Sequence, residues 1–289
     1  MEVKIICPVC DSKNCQGKYE KWGYKIFRCF SCTHVFVDAK ITEKGVGKLY
    51  KKTYFKRGGK YHKKQSGENM SLDTQTPNYK DRIKLLQRFK DKGKLLDVGC
   101  AEGFFLKTAE KIYDVEGIEI SKYASVYAKK NLKLNVKEAT LQDFKTNTRY
   151  DIITLWDVIE HLPNPIQQLR IINGLLKKEG VLVISTGDIS SLSAKISGKK
   201  WHLMTPPQHL QFFSKKSLIN AIERSGFSVE KILYRGEWVS FGYALFKLRE
   251  TTESTVFRLL YKFVKKAGID KLRMYINLLD VVTLIAKKQ

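Results

Sequence analysis

The sequence predicts an α/β protein with a parallel, doubly wound sheet, preceded by a small cysteine-built module. Three observations carry that expectation. Apolar runs at 95–98, 115–120, 150–156 and 180–186 alternate with stretches of helical periodicity, the pattern of parallel strands joined by crossover helices. The first run leads into small residues, Gly99, Ala101 and Gly103, and then a helix, the kind of corner at which open α/β sheets bind nucleotides. Two Cys-x-x-Cys pairs stand ahead of it all.

Residues 1–40 form the first unit. Cys7-Pro-Val-Cys10 and Cys29-Phe-Ser-Cys32 are separated by eighteen residues, inside the spacing of a four-thiolate zinc site. Each knuckle lets two sulfurs reach one tetrahedral ion, and residues 24–28 alternate like a short strand. A zinc ribbon is expected, with Cys7, Cys10, Cys29 and Cys32 holding a structural Zn2+. Such a closed site supplies folding energy and docking and leaves no position for substrate. Ribbons also bind nucleic acid, although a structural lid is the plainer role. Cys15 falls outside the pattern as a spare thiol. Residues 41–77 follow as a basic aromatic linker or lid: from Lys44 to Gln65 there is no acidic residue, and Lys48, Lys51, Lys52, Lys56 and Arg57 interleave with Tyr50, Tyr54 and Phe55. That alternation suits phosphates and stacked rings, and equally a solvated linker.

Residues 78–289 hold the sheet. Ile83, Leu85, Leu86 and Phe89 predict a helix over 78–90. The strand at 95–98 ends on alternating small residues that let the backbone turn tightly and approach a ligand. The spacing is not the Gly-x-Gly-x-x-Gly of a dinucleotide site, and no phosphate-gripping Lys-Ser/Thr follows. Asp97 stands where it can hold a cationic amine or an ordered loop. Glu119, at the tip of the next strand, can accept both hydroxyls of a ribose. The expected ligand is therefore a nucleoside carrying an amino acid, held by Asp97, Gly99, Ala101, Gly103 and Glu119. A helix is expected over 123–130, a third strand at 134–137 and a turn at 141–144. After the fourth strand (150–156), Asn164 as cap and Pro165 in the first turn open a helix closing near Gly180. The fifth strand covers 180–186. Ser214 caps a helix to Ser225 with Gly226 as its stop, and strands near 228–234 and 281–286 finish the pattern.

Trp156-Asp-Val-Ile-Glu-His-Leu-Pro163 follows the fourth strand, at the edge where substrate meets cofactor, which adds Trp156 to the cofactor-binding set. Asp157, Glu160 and His161 fall within one short turn, and Pro206-Pro-Gln-His-Leu-Gln-Phe-Phe213 offers His209. The four can hold a divalent cation, Mg2+ or another, with positions open for substrate oxygens, and a hydroxyl beside a dication loses its proton more readily. In the metal-free alternative the carboxylates cap the next helix, and His161 or His209 acts as general base.

The glycine corner with Asp97 and Glu119 resembles that of the class I S-adenosylmethionine-dependent methyltransferases. The run from Asp157 to Pro165 and Pro-Gln-His-Leu-Gln-Phe-Phe resemble the quinone-type, methyltransferase-23-like branch. The resemblance implies a Rossmann-like sheet with a reversed final strand and S-adenosylmethionine as cofactor. It implies that the turn at Leu141 and Gln142 flanks the adenine, and that the Tyr-x-x-x-Tyr-Phe part of the linker lies over the site mouth. The Asp-x-x-Glu-His…His set is similar to the Glu-x-x-Glu-His…His metal site of quinone-precursor and small-RNA 2′-O-methyltransferases, with Asp157 one methylene short of the usual Glu. N-terminal ribbons of this kind resemble the leaders of bacterial and archaeal small-molecule and glycan methyltransferases.

Between the last strands, Val256, Leu259, Leu260, Phe263 and Val264 oppose Arg258, Lys262, Lys265 and Lys266 on a helix near 254–268. A basic amphipathic helix rests on an anionic membrane or packs its apolar face on the sheet. The net charge of +24 predicts attraction to nucleic acid, a phosphorylated or lipid-linked glycan, or an anionic membrane; a lysine-rich, solvated surface is the blander reading. No apolar run approaches membrane-span length, and the start of the sequence lacks a secretory pattern. The expected setting is a reducing cytoplasm, free or peripheral at the inner face of the membrane. Methylation of an oxygen, less readily a carbon or nitrogen, of a small molecule, sugar or surface-glycan precursor is the leading expectation. An RNA 2′-O-methyltransferase is the second and a non-catalytic binding protein on the same fold the third.

Overall fold

Each apolar run of the sequence becomes a strand. The structure, a computed structural model, describes residues 5–38, 45, 72–252 and 255–289. It opens with β1 (Cys15–Lys21), β2 (Tyr24–Cys29) and β3 (Val35–Val37), and continues through α1 (Leu72–Gln87), β4 (Lys94–Val98), α2 (Phe104–Ala109), β5 (Asp114–Glu119), α3 (Lys122–Leu132) and β6 (Val136–Glu138). Next come β7 (Tyr150–Trp156), α4 (Pro165–Leu175), β8 (Leu176–Gly187), α5 (Leu192–Ser197), β9 (Gln211–Phe212), α6 (Lys215–Glu223) and β10 (Phe227–Tyr234). The chain closes with β11 (Glu237–Ser240), α7 (Phe241–Thr252), α8 (Thr255–Lys266), β12 (Arg273–Ile276) and β13 (Val281–Lys288).

The central sheet has seven strands in the order β10-β13-β8-β7-β4-β5-β6. β4 pairs in parallel with both β5 and β7, so the winding reverses there and opens a crevice beyond the carboxyl ends of these strands. β13 runs antiparallel between β8 and β10, the reversed strand expected. Alternation divides the sheet's side chains between two cores. Leu95, Ile152, Val183 and Ile285 meet Phe105 and Ala128 on one face. Leu96, Ile153, Leu182 and Leu284 meet Leu169 of α4 and Leu218 of α6 on the other. Burial on both sides explains the near-continuous apolar runs, and each such Leu or Ile contributes roughly 1.5–3 kcal/mol.

Several boundaries differ from expectation. α1 starts at Leu72, and the third strand covers Val136–Glu138. α4 stops at Leu175, short of Gly180, because Leu176 turns extended, is buried and pairs with Tyr150. Asn164 holds the N-cap position without a side-chain cap bond. Ser214 does cap α6, in a reciprocal box with Ser217, and Gly226 takes the stop conformation at φ 82°.

The ribbon is tied into the body. Its three strands are antiparallel, and β3 pairs on its free edge with β9, Val35 opposite Phe212 and Phe36 opposite Gln211. The resulting sheet crosses the boundary expected at residue 40, and Cys7, Cys29, Cys32 and Phe36 belong to the same core as Leu96. Apart from residue 45 and the start of α1, the basic aromatic segment expected at 41–77 lies outside the described residues. The single helix expected near 254–268 is part of a larger insertion, two helices closed by the antiparallel pair β11–β12.

Candidate active site

The corner after β4 is shaped by backbone conformation. Gly99, Ala101 and Gly103 all take positive φ, 71°, 49° and 83°, the left-handed region that favours glycine. A Cβ on Gly99 would stand 2.7 Å from a Val158 methyl, and one on Gly103 2.7 Å from a Leu134 methyl. The turn folds back on β5, where the Gly99 N–H donates to the Ile118 carbonyl at 2.8 Å. Glu119 locks the arrangement: its Oε2 accepts from the Ala101 N–H at 2.9 Å and its Oε1 from the Ser121 N–H at 2.7 Å. A carboxylate has about four acceptor positions, so both oxygens keep capacity toward the cleft that Glu119 lines. Burial raises its pKa against the pull of these N–H groups.

Asp97 lies under the turn, buried, with its Oδ1 accepting from Thr154 Oγ1 at 2.6 Å. Burial pushes its pKa up to about 7, with Thr154 and the nearby Arg82 charge pulling the other way. Sequence reasoning missed Arg82. It projects from α1, its guanidinium 4.6 Å from the Trp156 ring centroid and 3.5 Å from both Asp157 and Glu237. Trp156 also packs edge-on against Phe105, and its Nε1–H is buried without a hydrogen-bond partner. A buried donor facing a cavity is a place for a ligand acceptor.

The main cleft has a cavity volume of about 240 Å³. Of the residues expected to bind the cofactor, Gly99, Ala101, Glu119, Leu141 and Trp156 line it, and Asp97 and Gly103 are not in the lining. Gln142 is exposed and outside the lining; Ile120, Ala139 and Thr140, which sequence reasoning did not single out, fill that side beside Leu141. A smaller second cavity shares Trp156 and Asp157 with the first and adds Arg82, Arg235 and Glu237.

The turn after β7 brings together three of the four expected metal-site residues. Ligand atoms of Glu160, His161 and His209 all lie within 4.8 Å of one another. Asp157 is not in the cluster. It adopts φ 57°, its Oδ1 accepts from Ser185 Oγ at 2.9 Å and its Oδ2 faces Arg82, so the left-handed kink turns it toward the second cavity. The His161 Nδ1–H donates to the Gln208 carbonyl at 2.7 Å, and the two imidazole rings meet edge to face at 4.7 Å. Thr186 Oγ1 donates to Glu160 at 2.9 Å. Burial, and then the Asp157 charge, push Glu160 up to about 8. Burial lowers both histidines, which favours the neutral imidazoles.

The ribbon braces this turn. Cys7 and Cys32 sulfurs stand 3.6 Å apart and those of Cys10 and Cys29 3.5 Å, with all four within 4.8 Å. Four sulfurs bound at ~2.3 Å around a tetrahedral ion are about 3.8 Å apart, so the quartet fits zinc; Cys15 is outside it. His34, fully buried, donates from Nε2 to Gln211 Oε1 at 2.8 Å. Gln211 Nε2 in turn donates to the Leu162 carbonyl at 3.1 Å. The Leu210 N–H donates to the Glu160 carbonyl at 2.8 Å. His209 is thus fixed from β9, and β9 is held by the ribbon.

Known proteins share this fold. Residues 73–232 match the family described as methyltransferase domain. The chain is 29% identical over 136 residues to the ubiquinone biosynthesis O-methyltransferase of Actinobacillus pleuropneumoniae serotype 7 (strain AP76), covering 42% of this chain and 58% of that protein. To the enzyme of the same name from Rickettsia typhi (strain ATCC VR-144 / Wilmington) it is 32% identical over 112 residues, 37% of this chain and 46% of the relative. The match thus spans about half the length of these curated relatives. Among solved structures, a SAM dependent methyltransferase from Archaeoglobus fulgidus superposes with a TM-score of 0.50 at 21% identity, covering 75% of this chain and 95% of its own. Among the described residues, no helix is long and apolar enough to cross a membrane.

Proposed function

The chain belongs to the methyltransferase domain family, and from that premise we propose that it moves a methyl group from S-adenosylmethionine to an oxygen of a small molecule, sugar or surface-glycan precursor. The observation that carries the reading is Glu119: a buried carboxylate, pinned by two backbone N–H groups at the tip of β5, faces the cleft with lone pairs to spare. Ribose hydroxyls are the partners such a group suits. Ala139, Thr140 and Leu141 offer an adenine wall. Arg82, beside Asp97 and over Trp156, is placed to take the carboxylate of the amino acid end, and Asp97 is the group to balance its ammonium.

The cofactor supplies an electrophilic methyl group, so the protein's task is to place and deprotonate the acceptor oxygen. His161 and His209, kept neutral by burial, are the bases available beside the cleft. With Glu160 they also offer two nitrogens and one carboxylate oxygen, a set better matched to a transition dication than to Mg2+. The four cysteines are the proposed Zn2+ ligands, with a structural role. Relatives named O-methyltransferases favour oxygen as the methylated atom. The test is calorimetric titration of the full chain with S-adenosylmethionine and S-adenosylhomocysteine, followed by detection of S-adenosylhomocysteine release in the presence of hydroxylated sugar and aromatic acceptors. Failure to bind either compound overturns the reading.

A further inference from the structure

We propose that the face of α8 formed by Val256, Leu259, Leu260 and Phe263 docks on a lipid bilayer whose headgroups carry negative charge. The helix divides into three stripes at helical spacing. Phe257, Tyr261 and Val264 form the inward one; Tyr261 and Val264 are buried in a cluster with Leu245 and Phe246 of α7. Arg258, Lys262, Lys265 and Lys266 form a basic stripe open to solvent. The third is apolar and yet faces water, with Val256 69%, Leu259 59% and Phe263 66% exposed. Packing a helix takes one apolar stripe; this helix has two, and the fold uses one.

The rest of the insertion repeats the pattern. Leu272, Leu278 and Leu279 are exposed, and Leu279 is held at φ 53°, a conformation that costs a leucine energy. The insertion also reaches the candidate site, since Glu237 of β11 pairs with Arg82 at the wall of the second cavity.

Charge selects the occupant. Residues 255–268 contain four cations and no acidic residue. A second copy would set those cations against their equals in a chain already at +24. The chain's own stretch from Lys44 to Gln65, free of acidic residues, is repelled in the same way. Nucleic acid answers the charge but gives a stripe of valine and leucine nothing to bury against. An anionic bilayer answers both: apolar side chains enter the acyl boundary while lysines and arginine lie among the phosphates.

The test is sedimentation of the full-length protein with phosphatidylcholine vesicles, with and without phosphatidylglycerol, at low and high salt. The expected result is co-sedimentation with the mixed vesicles, weakened by salt and at least about tenfold lower without the anionic lipid. A double variant, Leu259→Glu with Phe263→Glu, should lower the partition by at least about tenfold while keeping its circular dichroism and its affinity for S-adenosylhomocysteine. No binding to mixed vesicles at low salt overturns the proposal. Binding that the double variant leaves intact also overturns it, because diffuse charge elsewhere would then be sufficient. A concentration-dependent dimer in gel filtration that the double variant abolishes assigns the face to a second copy and likewise refutes it.

Discussion

Replacing Glu119 by Gln separates nucleoside recognition from folding. In the wild type the carboxylate spends part of its acceptor capacity on the Ala101 and Ser121 N–H groups, at 2.9 and 2.7 Å, and turns the rest toward the cleft, where the ribose is proposed to bind. An amide of the same shape has one acceptor oxygen and one NH2 group, so one backbone N–H and one ribose hydroxyl each lose their acceptor. The orphaned N–H costs about 1–3 kcal/mol of fold stability. Removing a buried charge, the burial that raises the Glu119 pKa, offsets part of that cost. Cofactor binding has no such offset, because a charge-assisted bond contributes about 1.5–3 kcal/mol. Affinity should therefore fall roughly 10- to 150-fold while the denaturation midpoint moves little. Calorimetry with S-adenosylhomocysteine, which cannot react, measures the first effect and urea unfolding the second. An affinity within about twofold of wild type would remove the ribose from Glu119 and with it the assignment of the cleft.

Other perturbations address the remaining parts. Arg82→Ala should weaken S-adenosylhomocysteine about 10-fold or more and leave adenosine binding unchanged, because adenosine lacks the carboxylate; equal losses for both ligands would place Arg82 elsewhere. Asp97 has its pKa pushed up to about 7 by burial, so the folded chain holds a proton that the unfolded chain releases above its ordinary value near 4. Its contribution to stability is complete below that value and is lost as pH rises through about 7, a change on the order of 4 kcal/mol. Urea midpoints of Asp97→Asn relative to wild type should therefore rise from pH ~4 to pH ~8, and a flat difference refutes the assignment. Chelation of zinc, or Cys32→Ser, should raise hydrogen exchange at the Val37 amide, which donates across the ribbon edge to the Leu210 carbonyl, and change cofactor affinity by less than about twofold; unchanged exchange at this amide refutes the brace.

What the sequence made legible was local. A strand that ends on Gly99, Ala101 and Gly103, with carboxylates at the tips of adjacent strands, needs only near neighbours to be recognised. The cysteine quartet is likewise specified by its spacing. The misses have a common cause in long-range competition. Gly180 is a sound helix stop by local chemistry, but burying Leu176 against Tyr150 ended α4 earlier. Asp157, Glu160 and His161 fall within one turn by count, yet a positive φ at Asp157 sends its carboxylate to Ser185 and Arg82. The sequence puts Val264 on one apolar face of α8 with Val256, Leu259, Leu260 and Phe263, whereas Val264 packs inward with Tyr261 against α7 and the others stay exposed. Arg82 carried no signal because Asp157 and Glu237 lie on distant segments.

The pairing of β3 with β9 shows what such long-range contacts add. β9 is two residues long, too short to have a periodicity, and exists because the ribbon supplies its partner strand. His209 stands two residues before its first residue, while Gln211 within it connects buried His34 to the Leu162 carbonyl. The Glu160–His161 turn and His209 come from segments that no continuous element joins, so their spacing depends on an external frame. The cysteine module contributes to that frame through the β3–β9 pairing, alongside the direct bonds from His161 to the Gln208 carbonyl and from the Leu210 N–H to the Glu160 carbonyl. Loss of metal from the four cysteines should therefore relax the histidine pair before it affects the cofactor corner, which stands on β4 and β5.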